Sequence, residues 1–382
     1  MTHPFDFIME TRSKKIESVS PFMGIRGIND LLNNSTLFMT GSKAKARMLI
    51  AVATEPVEPL LEKKKHEIIY KKLNDHPEIY HCRLLKYDLD ETDQATIPEW
   101  VMINYKNTDV FLIVSFANYK ISRRIIRFLR GLYPKIARTY FNTGYIYNFL
   151  RRIDKEDDRL HIRITKLVAK NRIESEGAQK IIASSIDWTD ITYQEAFTKL
   201  YEEDAWIKSI DLSLTISDNG SKYEAAGSIA RDGMLVCKNN IKFFFYQVVQ
   251  QALQKAFNDK ELFKNRSRRE NPGLKVRPLV IEFGKPIFSD KSHNHRLINA
   301  LRKMPNSSLS VFHANPYLQA SMIDYRDGST YRIWVLSEDS MTIVPQMRAT
   351  VGSLQRLFNH IGERFMEGKI TELNDRSIDS HE

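Results

Sequence analysis

The sequence predicts a mostly parallel α/β layer over residues 46–153, followed by a larger α+β domain over 160–370. Three observations carry this. Apolar runs and amphipathic stretches alternate between residues 46 and 153, the pattern of strands joined by crossover helices. Asp327-Gly328 stands between two β-prone runs, a hairpin signal. Met347, Val351, Leu354, Phe358, Ile361 and Phe365 recur at intervals of 4, 3, 4, 3 and 4, one face of a long C-terminal helix.

Residues 1–45 read as a peripheral segment. Thr40-Gly41-Ser42-Lys43 is not read as a phosphate loop, because it precedes a strand-like run instead of following one. Arg47–Thr54 is that run and reads as a buried strand. Pro56–Leu73 reads as a helix begun by its proline. Glu78–Tyr87 and Asp109–Ala117 read as strands, Ile121–Leu132 and Tyr145–Ile153 as helices. In a parallel layer, ligands sit beyond the carboxyl ends of the strands, here near Thr54 and Ser115.

The charged run at 154–160 marks a boundary. Beyond it, Leu160–Ala169 and Trp206–Ser217 alternate as strands, with Asn219-Gly220 turning the second into Lys222–Ile229. Tyr193–Glu203, Ile241–Phe257 and His295–Lys303 read as helices, Val276–Phe283 as a strand. A two-residue loop at Asp327-Gly328 pairs Met322 with Ile333 and Asp324 with Tyr331, and leaves both hairpin faces partly apolar. That predicts cover on both sides and makes the hairpin a candidate surface for a homo-oligomer. Residues 371–382 read as a polar tail.

Composition narrows the function. The 382 residues carry a net charge of +10, which favours an anionic partner. Two distant cysteines, Cys82 and Cys237, give neither a disulfide framework nor a cysteine zinc site, and fit the cytoplasm. The longest apolar run, Val110–Phe116, is too short for a membrane span.

Positive charge is concentrated in two places. Arg123, Arg127 and Arg130 fall opposite the apolar stripe of the helix from Ile121, flanked by Lys120 and Arg124. No acid occurs between Val110 and Leu150 to neutralise them, and Lys135, Arg138, Arg151 and Arg152 extend the sign. The second cluster, Lys264–Arg277, holds Arg266, Arg268 and Arg269 against Glu270. Guanidinium forks match phosphate oxygens, so these residues are the candidate nucleic-acid contacts, without distinction between DNA and RNA. The nearby aromatics Phe128, Tyr133, Tyr140, Phe141, Tyr145, Tyr147 and Phe263 are read mostly as core. Arg356, His360 and Arg364, spaced by four, are read as a solvated helix face in preference to the alternative of an anion-binding edge.

Catalytic patterns are sparse. Glu282 and Lys285, with Asp211 as a distant carboxylate, give the alternative of a Mg²⁺-dependent phosphodiesterase. A protein-interaction or nucleotide-sensing module at the strand ends is the third reading. His293 and His295 lack the accompanying ligands of a metal site. No nucleophile elbow or kinase signature occurs.

Overall fold

Ala46–Ala53 is apolar at every position but Arg47, and a strand of that kind is buried on both faces. In the computed structural model this strand is central to a large sheet. The structure describes residues 45–73, 76–85, 99–116, 119–156, 159–172, 193–218, 221–264, 266, 277–315 and 317–373. The predicted peripheral segment, the tail beyond 373 and most of the Lys264–Arg277 loop lie outside these residues.

The large sheet contains β1 (Ala46–Ala53), β2 (Ile68–Leu73), β3 (His76–Leu84), β4 (Glu99–Asn104), β5 (Val110–Ser115), β6 (Ile136–Arg138), β7 (Leu160–Asn171), β8 (Ala205–Asp218), β9 (Ser221–Ala230) and β10 (Met234–Cys237). Their order is β2-β3-β4-β5-β1-β10-β9-β8-β7, with β6 also paired to the second half of β1. A second sheet has the order β12-β13-β14-β15-β11-β16. It is built from β11 (Leu279–Glu282), β12 (Ser307–His313), β13 (Leu318–Asp324), β14 (Ser329–Val335), β15 (Ser340–Pro345) and β16 (Lys369–Glu372).

Every pairing in both sheets is antiparallel. The expected α/β plus α+β fold, with its mostly parallel layer, is therefore corrected. Two strands account for the difference. The expected helix at Pro56–Leu73 stops after one short turn, α1 (Val57–Glu62), and Ile68–Leu73 pairs with β3 instead. Glu99–Asn104, unassigned from sequence, pairs with both β3 and β5. Parallel neighbours need a crossover of about a dozen residues, whereas two residues separate β2 from β3 and five separate β4 from β5. Because β1 pairs with β10, the sheet takes strands from both sides of the charged run at 154–160.

The two faces of β1 enter two cores. Leu49, Ala51 and Ala53 face α1 and α2 (Tyr119–Arg130). Met48, Ile50 and Val52 share a larger core with α3 (Thr143–Glu156), α4 (Tyr193–Glu202) and the six-stranded sheet. A long helical segment crosses the same core: α5 (Ile241–Phe244), a π turn at Phe245–Val249, then α6 (Gln250–Phe263). α7 (Lys291–Arg302) and α8 (Val351–Arg364) complete the layer. Far from β1 the sheet is covered on one side: Leu212, Leu214 and Ile216 of β8 are buried, while Asp211, Ser213 and Thr215 are half-buried. Among the described residues no helix is long and apolar enough to cross a membrane.

The β13–β14 hairpin has a four-residue loop, Tyr325–Gly328. Asp324 pairs with Ser329 and Met322 with Tyr331, two places away from the expected register. Asp327 accepts a hydrogen bond from the Ser329 N–H at 3.0 Å, and Gly328 takes a φ of 76°. This local Asx turn is an alternative to the two-residue loop, and the longer loop carries Arg326 outward. The shift preserves which residues share a face. Met322, Tyr331, Ile333 and Val335 are buried, whereas on the other face Gln319 and Arg332 are exposed and Ile323 and Trp334 half-buried. The hairpin is thus covered fully on one face and only partly on the other, short of the cover expected on both sides.

Helix α8 starts at a capping box in which Thr350 and Ser353 each bond the other's backbone N–H. Its second residue is Gly352. A Cβ there would stand 2.7 Å from the Ala137 Cβ, so only glycine lets this turn lie against β6. That approach brings the six-stranded sheet's helix onto the ten-stranded sheet and encloses the site described next.

Candidate anion-binding site

Helix α2 buries Ile121, Ser122, Ile125, Phe128 and Leu129 against the sheet. Its 3.6-residue period then places Arg123, Arg127 and Arg130 on the opposite face, where all three are exposed. Arg123 lies over the Tyr119 ring, 5.7 Å from its centroid. Arg127 and Arg130 have no carboxylate partner among the described residues. From Arg123 to Arg130 the ridge runs about 10 Å along the helix.

The ridge ends in a cavity of about 430 Å³. Its lining includes Arg130 from the end of α2, Arg138 from β6, Arg326 from the hairpin loop and Arg356 from α8, together with Tyr133, Tyr140 and Gly352. Four guanidiniums thus converge from four elements. Two are neutralised: Arg138 bonds Asp232 at 2.7 Å, and Arg356 bonds Asp324 and the Pro305 carbonyl. Asp324 is fully buried, and Arg356 supplies the countercharge a buried carboxylate needs. Arg130 and Arg326 have no carboxylate partner among the described residues. Arg326 lies over the Tyr133 ring, 5.5 Å from its centroid.

Arg130 is held below the usual guanidinium range, first by burial and then by repulsion from Arg138, while Asp232 and Tyr140 oppose that shift and Arg326 adds to it. The Tyr133 hydroxyl is buried without a hydrogen-bond partner. Burial pushes its pKa well up, the charges of Asp327 and Asp324 push in the same direction, and Arg356 and Arg326 oppose them. Asp327 does not line the cavity; one oxygen bonds the Ser329 N–H and the other the Thr350 hydroxyl. The first turn of α8 adds the positive end of its helix dipole to the wall.

The other sequence candidates fall elsewhere. Lys120 is exposed and Arg124 half-buried on the flanks of the ridge. Arg266 turns inward: it is 6% exposed and bonds the Leu262 and Arg277 carbonyls and Glu372. A guanidinium this deep needs such partners, and they leave it no solvent-facing donor for a polyanion. Arg268 and Arg269 lie outside the described residues.

Asp211 of β8 pairs with Lys238 at 2.8 Å. Glu282 is in the other sheet, at the exposed end of β11, where it accepts a hydrogen bond from the Thr371 hydroxyl at 3.2 Å. Lys285 lies over the Tyr201 ring at 5.0 Å, beside a different cavity of about 700 Å³. The structure therefore does not gather these three into one site. Among the described residues no group of three or more His, Cys, Asp or Glu side chains could hold a metal ion. The crevice expected near Thr54 and Ser115 depended on parallel strands. In the antiparallel β1–β5 pair, Arg47 stands opposite Ser115 and Val52 opposite Val110, so Thr54 and Ser115 lie at opposite ends.

Three parts of the site escaped sequence reasoning. Arg326 sits in a turn that is legible, but no local signal ties that turn to β6. Arg356 was grouped with His360 and Arg364 as a solvated stripe. Instead Arg356 faces the cavity, and His360 is buried with its Nε2–H donating to the Ala300 carbonyl at 2.7 Å. Tyr133 and Tyr140, read mostly as core, line the cavity. No family model matches the chain, and no curated protein matches it.

Proposed function

We propose that this protein binds nucleic acid, contacting the phosphate backbone through the arginine ridge of α2 and the cavity at its end. The supporting observation is that Arg127, Arg130 and Arg326 form no ion pair with a carboxylate among the described residues, Asp232 acting on Arg130 only at longer range, in a region that holds further arginines. Exposed guanidiniums left without internal partners are free to exchange counterions for phosphates, the source of most non-specific nucleic-acid affinity. The ridge is convex and regular, which suits contact with a backbone and leaves base choice open. Tyr119 and Tyr140 offer ring surface beside it for unpaired bases.

The setting we infer is cytoplasmic. Both cysteines are free and buried, and burial pushes the thiols of Cys82 and Cys237 well up, which suits structural thiols in a reducing compartment.

Charge reversal tests the ridge. In the Arg123→Glu/Arg127→Glu double variant both side chains remain in solvent, so folding should be preserved and circular dichroism should be unchanged. Affinity for a labelled 20-mer should fall more than tenfold in a gel-shift titration. Undiminished affinity in a folded double variant overturns the reading.

A further inference from the structure

The ridge and the cavity differ in shape and in charge, and the difference points to different phosphates. A phosphodiester within a strand carries one negative charge and passes along a surface. A phosphomonoester at a strand end carries a charge of about −1.5 to −2 near neutral pH and presents three oxygens. The cavity has four guanidiniums, of which the Arg138–Asp232 and Arg356–Asp324 pairs neutralise two. The remaining two, Arg130 and Arg326, match the charge of a monoester.

We propose that this cavity holds the terminal phosphomonoester of a nucleic-acid strand whose backbone follows α2. This rests on the nucleic-acid reading above and specifies what the cavity adds to it. Its volume of about 430 Å³ falls within the range of about 300–1,000 Å³ typical of small-ligand pockets, room for a terminal nucleotide. Arg130 belongs to both features, being the last arginine of the ridge and part of the cavity wall. Arg326 enters from the other sheet, so a phosphate between the two is approached from both sides. Guanidinium forks then meet phosphate oxygens in charge-assisted pairs. The Tyr133 ring lies under the Arg326 guanidinium and forms part of the same wall. Tyr140 supplies a ring beside the position of the terminal sugar or base.

The test compares labelled oligonucleotides of one sequence bearing a 5′-phosphate, a 3′-phosphate or hydroxyls at both ends. Each is titrated by anisotropy against the wild-type chain, against Arg130→Gln/Arg326→Gln and against Arg123→Gln/Arg127→Gln. Melting curves establish that all three proteins are folded. One of the phosphorylated ends should bind the wild type at least tenfold tighter than the hydroxyl ends, and which one it is gives the strand polarity. The cavity variant should bind all three strands alike, and more weakly than the wild type because Arg130 also belongs to the ridge. The Arg123/Arg127 variant should weaken all three ligands and keep the ratio. Equal binding of all three strands by the wild type overturns the terminal-phosphate assignment and leaves the ridge reading standing. A preference that survives in the cavity variant also overturns it. Binding of none of the strands overturns both.

Discussion

Two arginine clusters lie where the two sheets meet, and they are built differently. In the first, Arg231 is 3% exposed and bonds Asn359 at 2.7 Å, Glu363 at 3.3 Å and Glu367. Glu367 also accepts hydrogen bonds from the Thr143 N–H at 2.7 Å and the Thr143 hydroxyl at 3.2 Å, capping α3. Arg172 bonds the Gly362 carbonyl at 2.8 Å and Asp204 at 3.0 Å, and Arg296 reaches Asp204 as well. Three guanidiniums, Arg172, Arg231 and Arg296, thus meet three carboxylates, Asp204, Glu363 and Glu367. In the second cluster, Arg130, Arg138, Arg326 and Arg356 form ion pairs with Asp232 and Asp324 alone among the described residues. The first cluster is internally satisfied and joins β7, β9, α3, α7 and the α8–β16 connection. Both border cavities, but the second has fewer paired carboxylates than guanidiniums among the described residues. An arginine's sequence context does not separate these roles; the number of carboxylates that folding brings to it does.

Removing members of the two clusters separates the roles, in decreasing order of effect on stability. Arg231→Ala removes a buried guanidinium from between Glu363 and Glu367 and leaves Glu367, among the described residues, only the Arg172 guanidinium, at 3.8 Å; breaking a buried pair costs up to about 3–5 kcal/mol. Urea denaturation should show that loss, and a loss below about 1 kcal/mol would make the network incidental. Gly352→Ala places a Cβ 2.7 Å from Ala137, so α8 must shift against β6, at a cost of about 1–3 kcal/mol on the same assay.

A smaller effect comes from His360. Burial lowers its pKa, with the charges of Arg364 and Arg356 adding to that and the Ala300 carbonyl opposing it. The folded state therefore holds this imidazole neutral, while the unfolded chain protonates it near the ordinary value of about 6.5. Its contribution to stability is full above that value and declines as pH falls below it, by at most about 1.4 kcal/mol per pH unit for one proton. Denaturation at pH 7.5 and 5.5 should show a part of the acid sensitivity that disappears in His360→Gln. If the variant is as acid-sensitive as the wild type, His360 is not its source. The smallest stability effect belongs to the second cluster. Arg130→Gln and Arg326→Gln should leave the melting temperature within about 2 °C of wild type, since both side chains are exposed and without carboxylate partners. A large drop would mean these arginines serve the fold.

Much of the local structure was legible in the sequence, and its assembly was not. The amphipathic period of α2 and the alternation of β8 with β9 are local patterns, and they appear close to their expected positions. Ile68–Leu73 was misread because a proline start and scattered apolar residues suit a helix as well as a strand. Glu99–Asn104 was missed although Trp100, Val101, Met102 and Ile103 are all buried. Missing both turned a chain of hairpins into apparent strand–helix alternation. For the site, the unneutralised ridge was visible because α2 displays its own charge. Arg266 was misassigned because its partner Glu372 is far away in sequence. Arg326 and Arg356 were invisible as pocket residues because the contact that gathers them, Gly352 against Ala137, joins distant segments.

The most direct test of the central claim is the salt dependence of binding. A labelled single-stranded oligonucleotide is titrated by anisotropy from about 50 to 300 mM NaCl, with wild type and with Arg127→Gln and Arg130→Gln singly. A phosphate-contacting ridge predicts a linear fall of log K with log salt, and each lost arginine should reduce the slope by about 0.7–1. No binding at the lowest salt, or a slope unchanged in both variants, would contradict it and make the α2 arginines ordinary surface.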